Sequence, residues 1–96
     1  MSEKKEEPTG PEKEFVGLPM YCVIVHNDDE HTYEEVTDTL VRIVRMSLPK
    51  ASRATRAIDK NGLAVVARTH MELAELFVER FSQYGLKATM VPEVKT

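Results

Sequence analysis

The groups able to do chemistry crowd into one short stretch of "MYCVIVHNDDEHTYEEV", Met20 to Val36: His26, Asn27, Asp28, Asp29, Glu30 and His31 follow directly on an apolar run. Acids this close repel one another, so the cluster needs a reason. A structural turn is one, because Asn and Asp favour turns and acids ahead of a helix complement its dipole. A metal-dependent hydrolase built on His26, Asp28 and His31 is another. Against it, the spacing does not match an EF-hand loop, and neighbouring residues of an extended chain point apart. Two carboxylates could also do acid–base work, but neither Cys22 nor any serine stands in a nucleophile context. The remaining chemistry is capture of a cation. An ammonium group has three donors and no acceptor, so its site needs convergent oxygens and negative charge, which Asn27 and Asp28 supply. If that cation is a peptide α-amino group, the first side chain needs an apolar seat, and Val36 and Leu40 lie within reach. Composition and spacing leave the turn and the cation site both open.

The elements that must position these groups follow from periodicity. In Tyr21 to His26 both alternating faces are largely apolar, which suits a strand covered on both sides or set centrally in a sheet. Thr32 and Glu35 have capping-box spacing and open a helix from Tyr33 to about Arg45, with Val36, Leu40, Ile43 and Val44 on one face. Ser47 caps a second helix, with Leu48, Ala51, Ala54 and Ile58 inward, which Asn61-Gly62 stops. Leu63 to Ala67 is a short strand. Thr69 and Glu72 repeat the capping-box spacing and begin a third helix, ended at Gly85, with Leu73, Ala74, Phe77, Val78 and Phe81 along one stripe. Leu86 to Val91 is a last strand, closed by Pro92. The order β-α-α-β-α-β gives a small α/β sandwich of three helices on a three-stranded sheet.

The chain has 96 residues, a formal charge of -3 and one cysteine. One modest domain is feasible without metal or disulfide. The acidic balance argues against nucleic acid, no apolar run approaches a membrane span, and the first residues lack a secretory apolar stretch. A cytoplasmic protein without cofactor is expected. Residues 1–18, charged and broken by Pro8, Gly10 and Pro11, read as a flexible tail ahead of a domain over 19–96.

The stretch "PMYCVIVHNDDEHTYEEV" resembles the signature of the ClpS family of Clp protease adaptors, in which a strand ends in Asn-Asp-Asp before a helix. The resemblance continues through "MSLPKASRATRAIDKNGLAVVA" and "ELAELFVERF" to "ATMV", roughly residues 19 to 92. It implies helices packed on a three-stranded antiparallel sheet. It also implies an adaptor, not an enzyme, that binds N-degrons (proteins marked for degradation by a first residue such as Phe, Leu, Tyr or Trp) and hands them to a Clp AAA+ unfoldase of ClpA or ClpC type. Carried over residue by residue, it places α-amino binding on Asn27 and Asp28 and the peptide's next residues by Asp29. The side-chain pocket falls on Tyr33, Val36, Leu40, Thr55, Ile58 and Leu86.

Four positions depart from the pattern. Asp59 stands where the family has a histidine that accepts from the amine; its carboxylate is an acceptor too, and a close Asp28–Asp59 pair would raise one carboxyl's pKa. Tyr33 stands where a methionine commonly gates the pocket, and Thr55 replaces an apolar wall residue. On the unfoldase-facing helix Glu72 matches an acidic residue, while Phe77 replaces a lysine and stands beside Leu76. The alternative within the fold is a divergent paralogue that binds another ligand or unfoldase.

Overall fold

The computed structural model describes residues 18–93. The expected tail lies outside them apart from Leu18. Strand β1 (Met20–His26) leads to helix α1 (Tyr33–Val44) and helix α2 (Leu48–Asn61). Strand β2 (Leu63–His70), helix α3 (Met71–Gln83) and strand β3 (Ala88–Pro92) complete the expected β-α-α-β-α-β order. The sheet runs β2-β1-β3, with both neighbours antiparallel to the central β1.

β1 is central, as its apolar character requires, but only one of its faces is sealed. Val23 and Val25 are fully buried, whereas Cys22, Ile24 and His26 are half-buried. The partners of that second set, Leu63 and Val65 on β2 and Val91 on β3, are exposed. Across this open face the His26 ring and the Thr89 hydroxyl share a hydrogen bond of 2.9 Å, and Arg68 pairs with Glu93. The β1–β2 register shifts between Val23 and Ile24: Val23 faces Ala67 and Ile24 faces Val65. Val66 is the extra residue of a β-bulge and is buried.

The helices close over the sealed face. Leu40 and Phe81, both fully buried, contribute about 1.5–3 kcal/mol each through burial. Thr32 and Glu35 form the expected capping box, with the Glu35 amide 3.1 Å from the Thr32 hydroxyl and the Thr32 amide 2.9 Å from the Glu35 carboxylate. Ser47 accepts from the Lys50 amide and caps α2. At its other end Gly62 takes φ 88° and returns its amide to the Ile58 carbonyl at 2.9 Å.

Three local expectations are corrected. Thr69 does not cap α3: it pairs with Tyr21 in the sheet, β2 runs on to His70, and His70 is the N-cap without a side-chain cap bond. Sheet pairing has taken the residue that a capping box would use. Leu48 is 65% exposed, because the first residue of α2 lies beyond the core. Thr55 is buried in that helix instead, donating to the Ala51 carbonyl (2.9 Å) and accepting from Thr37 on α1 (2.7 Å), so both hydroxyls are satisfied between the helices. The last strand begins at Ala88, since Leu86 is buried in the preceding turn with its amide on the Phe81 carbonyl.

Candidate functional site

Two backbone bonds fix the end of β1. The His26 amide donates to the Lys87 carbonyl (3.0 Å) and the Asn27 amide to the Gly62 carbonyl (2.8 Å). The second ties the acidic turn to the C-terminal end of α2, where Asp59 sits one turn before Gly62. Between them lies a cavity of about 90 Å³, lined by Asn27, His31, Thr32, Tyr33, Val36, Thr55, Ile58 and Asp59. Its polar members come from the turn, from Tyr33 at the start of α1, and from Thr55 and Asp59 on α2. Its apolar members, Val36 and Ile58, are buried faces of α1 and α2.

The residues singled out from sequence separate into three groups. Asn27, Asp59, Tyr33, Val36, Thr55 and Ile58 line the cavity together. Leu40, fully buried, and Leu86, 3% exposed, belong to the core and are not among its lining residues. Asp28 and Asp29 are not among them either, and the Asp28 carboxylate is engaged elsewhere. Its Oδ1 accepts from the amides of Glu30 (2.9 Å) and His31 (3.0 Å), and its Oδ2 accepts from His31 Nδ1 (2.9 Å).

His31, considered from sequence only as a metal ligand, holds this turn. Its Nε2 stands 3.1 Å from the Tyr84 carbonyl oxygen, in the α3–β3 turn. A carboxylate and a carbonyl bring no proton, so this pair of acceptors favours the imidazolium, in which both ring nitrogens donate. The hydrogen bond to Asp28 raises the His31 pKa above 6.5; burial opposes this, and the charges of Asp28 and Glu35 and the Tyr84 carbonyl reinforce it. For Asp28, burial pushes the carboxyl up, but the Glu30 amide, the His31 ring and the His31 amide together hold it below 3.8. The expected Asp28–Asp59 repulsion is therefore not what sets the Asp28 carboxyl. Gly85, at φ 81°, makes room for the ring: a Cβ there would lie 3.4 Å from His31 Cε1 and Nε2. The Asp-x-x-His spacing was the signal in the sequence for this pair.

Asp59 is the one carboxylate among the lining residues, which also include Asn27. Tyr33 lines the cavity too. Its hydroxyl donates to the Ser52 carbonyl (2.9 Å) and lies 2.7 Å from the Ser52 hydroxyl, bridging α1 to α2. The Thr55 hydroxyl is committed to Ala51 and Thr37, so Thr55 brings no free polar group to the cavity. His26 faces Thr89 on the open sheet face, apart from Asp28 and His31. Among the described residues no group of three or more His, Cys, Asp or Glu could hold a metal ion. On α3, Glu72 and Leu76 are exposed, and Phe77 packs half-buried against the core, widening its apolar stripe.

Comparison with known proteins places the chain in a family. The family described as "ATP-dependent Clp protease adaptor protein ClpS" matches residues 17–89. An ATP-dependent Clp protease adapter protein ClpS from Desulforapulum autotrophicum is 37% identical over 81 residues, covering 78% of each chain. E3 ubiquitin-protein ligase UBR1 from Drosophila melanogaster is 35% identical over 72 residues, 74% of this chain, and the match spans only 4% of that much longer protein. Among solved structures, Agrobacterium tumefaciens ClpS2 bound to L-phenylalaninamide superposes with a TM-score of 0.75 at 30% identity, covering 78% of this chain and 98% of that one. The chain belongs to the ClpS family, whose members are adaptors of Clp proteases and not enzymes.

Proposed function

We propose that this adaptor binds the free α-amino group and the apolar first side chain of N-degron substrates in the Asn27–Asp59 cavity, and delivers them to a Clp AAA+ unfoldase in the cytoplasm. The observation that carries this is one small cavity lined both by oxygen-bearing Asn27 and Asp59 and by the apolar side chains of Val36 and Ile58. The similar ClpS2 structure holds L-phenylalaninamide, a molecule with a free amine and an apolar side chain. The Asp59 carboxylate and the Asn27 amide oxygen accept from the ammonium group, and the Asn27 amide nitrogen keeps donors for the peptide's own carbonyl. Asp28 acts through His31 and the turn amides, shaping the loop that presents Asn27. Asp29 stays exposed for the residues that follow.

Size ranks the substrates. The cavity is about 90 Å³, whereas benzene fills a cavity of roughly 150 Å³. A first residue of leucine size enters with Tyr33 in place, while Phe, Tyr or Trp require the Tyr33 ring to leave Ser52. Calorimetry with peptides starting in Leu, Phe, Tyr, Trp, Ile and Arg, each free and N-acetylated, tests the reading. Leucine should bind most tightly, and acetylation should remove most of the affinity because it deletes the charge and two donors. Equal affinity of free and acetylated peptides would sink amine capture.

A second reading keeps the recognition and changes the recipient. The match to a segment of a ubiquitin ligase, together with Phe77 packed into the core where the family has a lysine, favours a delivery partner other than a ClpA- or ClpC-type unfoldase. Reconstituted degradation of a Leu-initiated reporter by each unfoldase, with and without the adaptor, separates the two.

A further inference from the structure

Tyr33 is a wall of two spaces. Besides the amine cavity it lines an open groove of about 490 Å³ between α1 and α2, together with Thr37, Val41, Leu48, Ser52 and the exposed carboxylates of Glu34 and Asp38. Leu48, at 65% exposure, is the most exposed large apolar side chain described, although it stands among the apolar positions of its helix. Because the Tyr33 hydroxyl is anchored on Ser52, the side chain crosses from one helix to the other between cavity and groove. Neither the groove along Leu18, Tyr21 and Met71 nor the basic one along Arg53, Arg56 and Lys60 shares a residue with the cavity.

An extended peptide presents its first and third side chains on the same side, about 6.7 Å apart. Atoms packed on the two faces of an aromatic ring are separated by about 7–8 Å, twice the optimal carbon contact. The two spacings differ by only about 1 Å or less, which the flexible side chains of a peptide can take up. We propose that the α1–α2 groove seats an apolar side chain at the third residue of a bound peptide, whose first residue lies in the cavity across the Tyr33 ring. This inference rests on the amine-capture reading above. The adaptor then selects substrates by two side chains. Asp38 is neutralised by Arg42 at 2.7 Å, but Glu34 adds a carboxylate, so an acidic third residue is disfavoured.

The test is calorimetry on the full chain with peptides that begin Leu-Ser-Leu, Leu-Ser-Ser or Leu-Ser-Glu and share all later residues. Leucine at the third place should bind roughly five- to tenfold tighter than serine, as expected for partial burial of one aliphatic side chain, with glutamate weakest. In Leu48→Ser the leucine preference should fall below about twofold, and Leu48→Met should retain it. Equal affinity of the three peptides, with acetylation still abolishing binding, overturns the third-residue seat and leaves amine capture standing. An undiminished preference in Leu48→Ser also overturns it. If Leu48→Ser alters degradation by the unfoldase but no peptide affinity, the groove belongs to that partner and the proposal falls. Loss of all free-amine dependence overturns both readings.

Discussion

Replacing His31 by alanine removes a cation that two distant parts of the chain share. The variant loses the Asp28 pair at 2.9 Å and the Tyr84 bond at 3.1 Å. Buried bonds to charged groups contribute about 1.5–3 kcal/mol, and fully exposed pairs about 0.2–1. With the His31 and Asp28 side chains 20% and 25% exposed, about 1–2 kcal/mol is the expected loss. Its sign with pH follows from the two shifts. The folded His31 pKa is raised above 6.5, so its contribution is complete below 6.5 and is lost as pH rises through the folded value. The folded Asp28 pKa lies below 3.8, so its contribution is complete above 3.8 and is lost as pH falls through the folded value. The pair therefore stabilises most between these limits. Urea denaturation followed by circular dichroism at about pH 5.5 should show the His31→Ala midpoint lowered by about 1 M, for a slope near 1.5 kcal/mol/M. At a pH above the folded His31 pKa, where a neutral ring keeps only one donor, the difference should shrink to about half or less. Equal midpoint shifts at the two pH values would refute the imidazolium. So would a nitrogen NMR spectrum at about pH 6 showing one unprotonated His31 ring nitrogen.

Other perturbations test neighbouring parts. Asp59→Ala should weaken a Leu-initiated peptide about tenfold in calorimetry, or about 1.4 kcal/mol, since it removes the one carboxylate among the lining residues. In Asp59→His a neutral imidazole must accept from the amine, so affinity should fall as pH drops through roughly 6.5, unlike in the native chain. Thr55→Val strands the buried Thr37 hydroxyl and should lower stability by about 1–2 kcal/mol in thermal melts, with Thr37→Val in the same chain restoring part of it. Gly85→Ala forces a Cβ into a left-handed turn against the His31 ring and should cost about 1 kcal/mol or more.

What the sequence revealed and what it hid divide by distance along the chain. The Thr32–Glu35 box, the Ser47 cap and the Gly62 and Gly85 stops are signals within a few residues, and α1, α2 and the end of α3 follow from them. The central place of β1 followed from its apolar faces. Thr69 misled because the same spacing serves a cap or a strand, and only the partner Tyr21 decides which. The cavity was legible where family positions carried it, in Asn27, Asp59, Tyr33, Val36, Thr55 and Ile58. Leu40 and Leu86 differ because an apolar residue under a pocket and one under the core look alike in sequence. The imidazolium was hidden because its second acceptor, the Tyr84 carbonyl, lies 53 residues away and a backbone oxygen leaves no mark in composition.

The bond from the Asn27 amide to the Gly62 carbonyl has a consequence for how the chain acquires its activity. Cavity residues on the β1–α1 turn, α1 and α2 meet only after a loop of more than thirty residues has closed, and the His31 brace waits for the α3–β3 turn as well. Non-local closures of this kind come late in folding, after their entropic cost has been met. A chain in which these closures have not formed lacks the assembled cavity. Cargo that binds only the finished fold stabilises it by mass action, about 2.7 kcal/mol at a concentration one hundred times its dissociation constant. On the proposed reading, the adaptor is therefore more stable with peptide bound than without it.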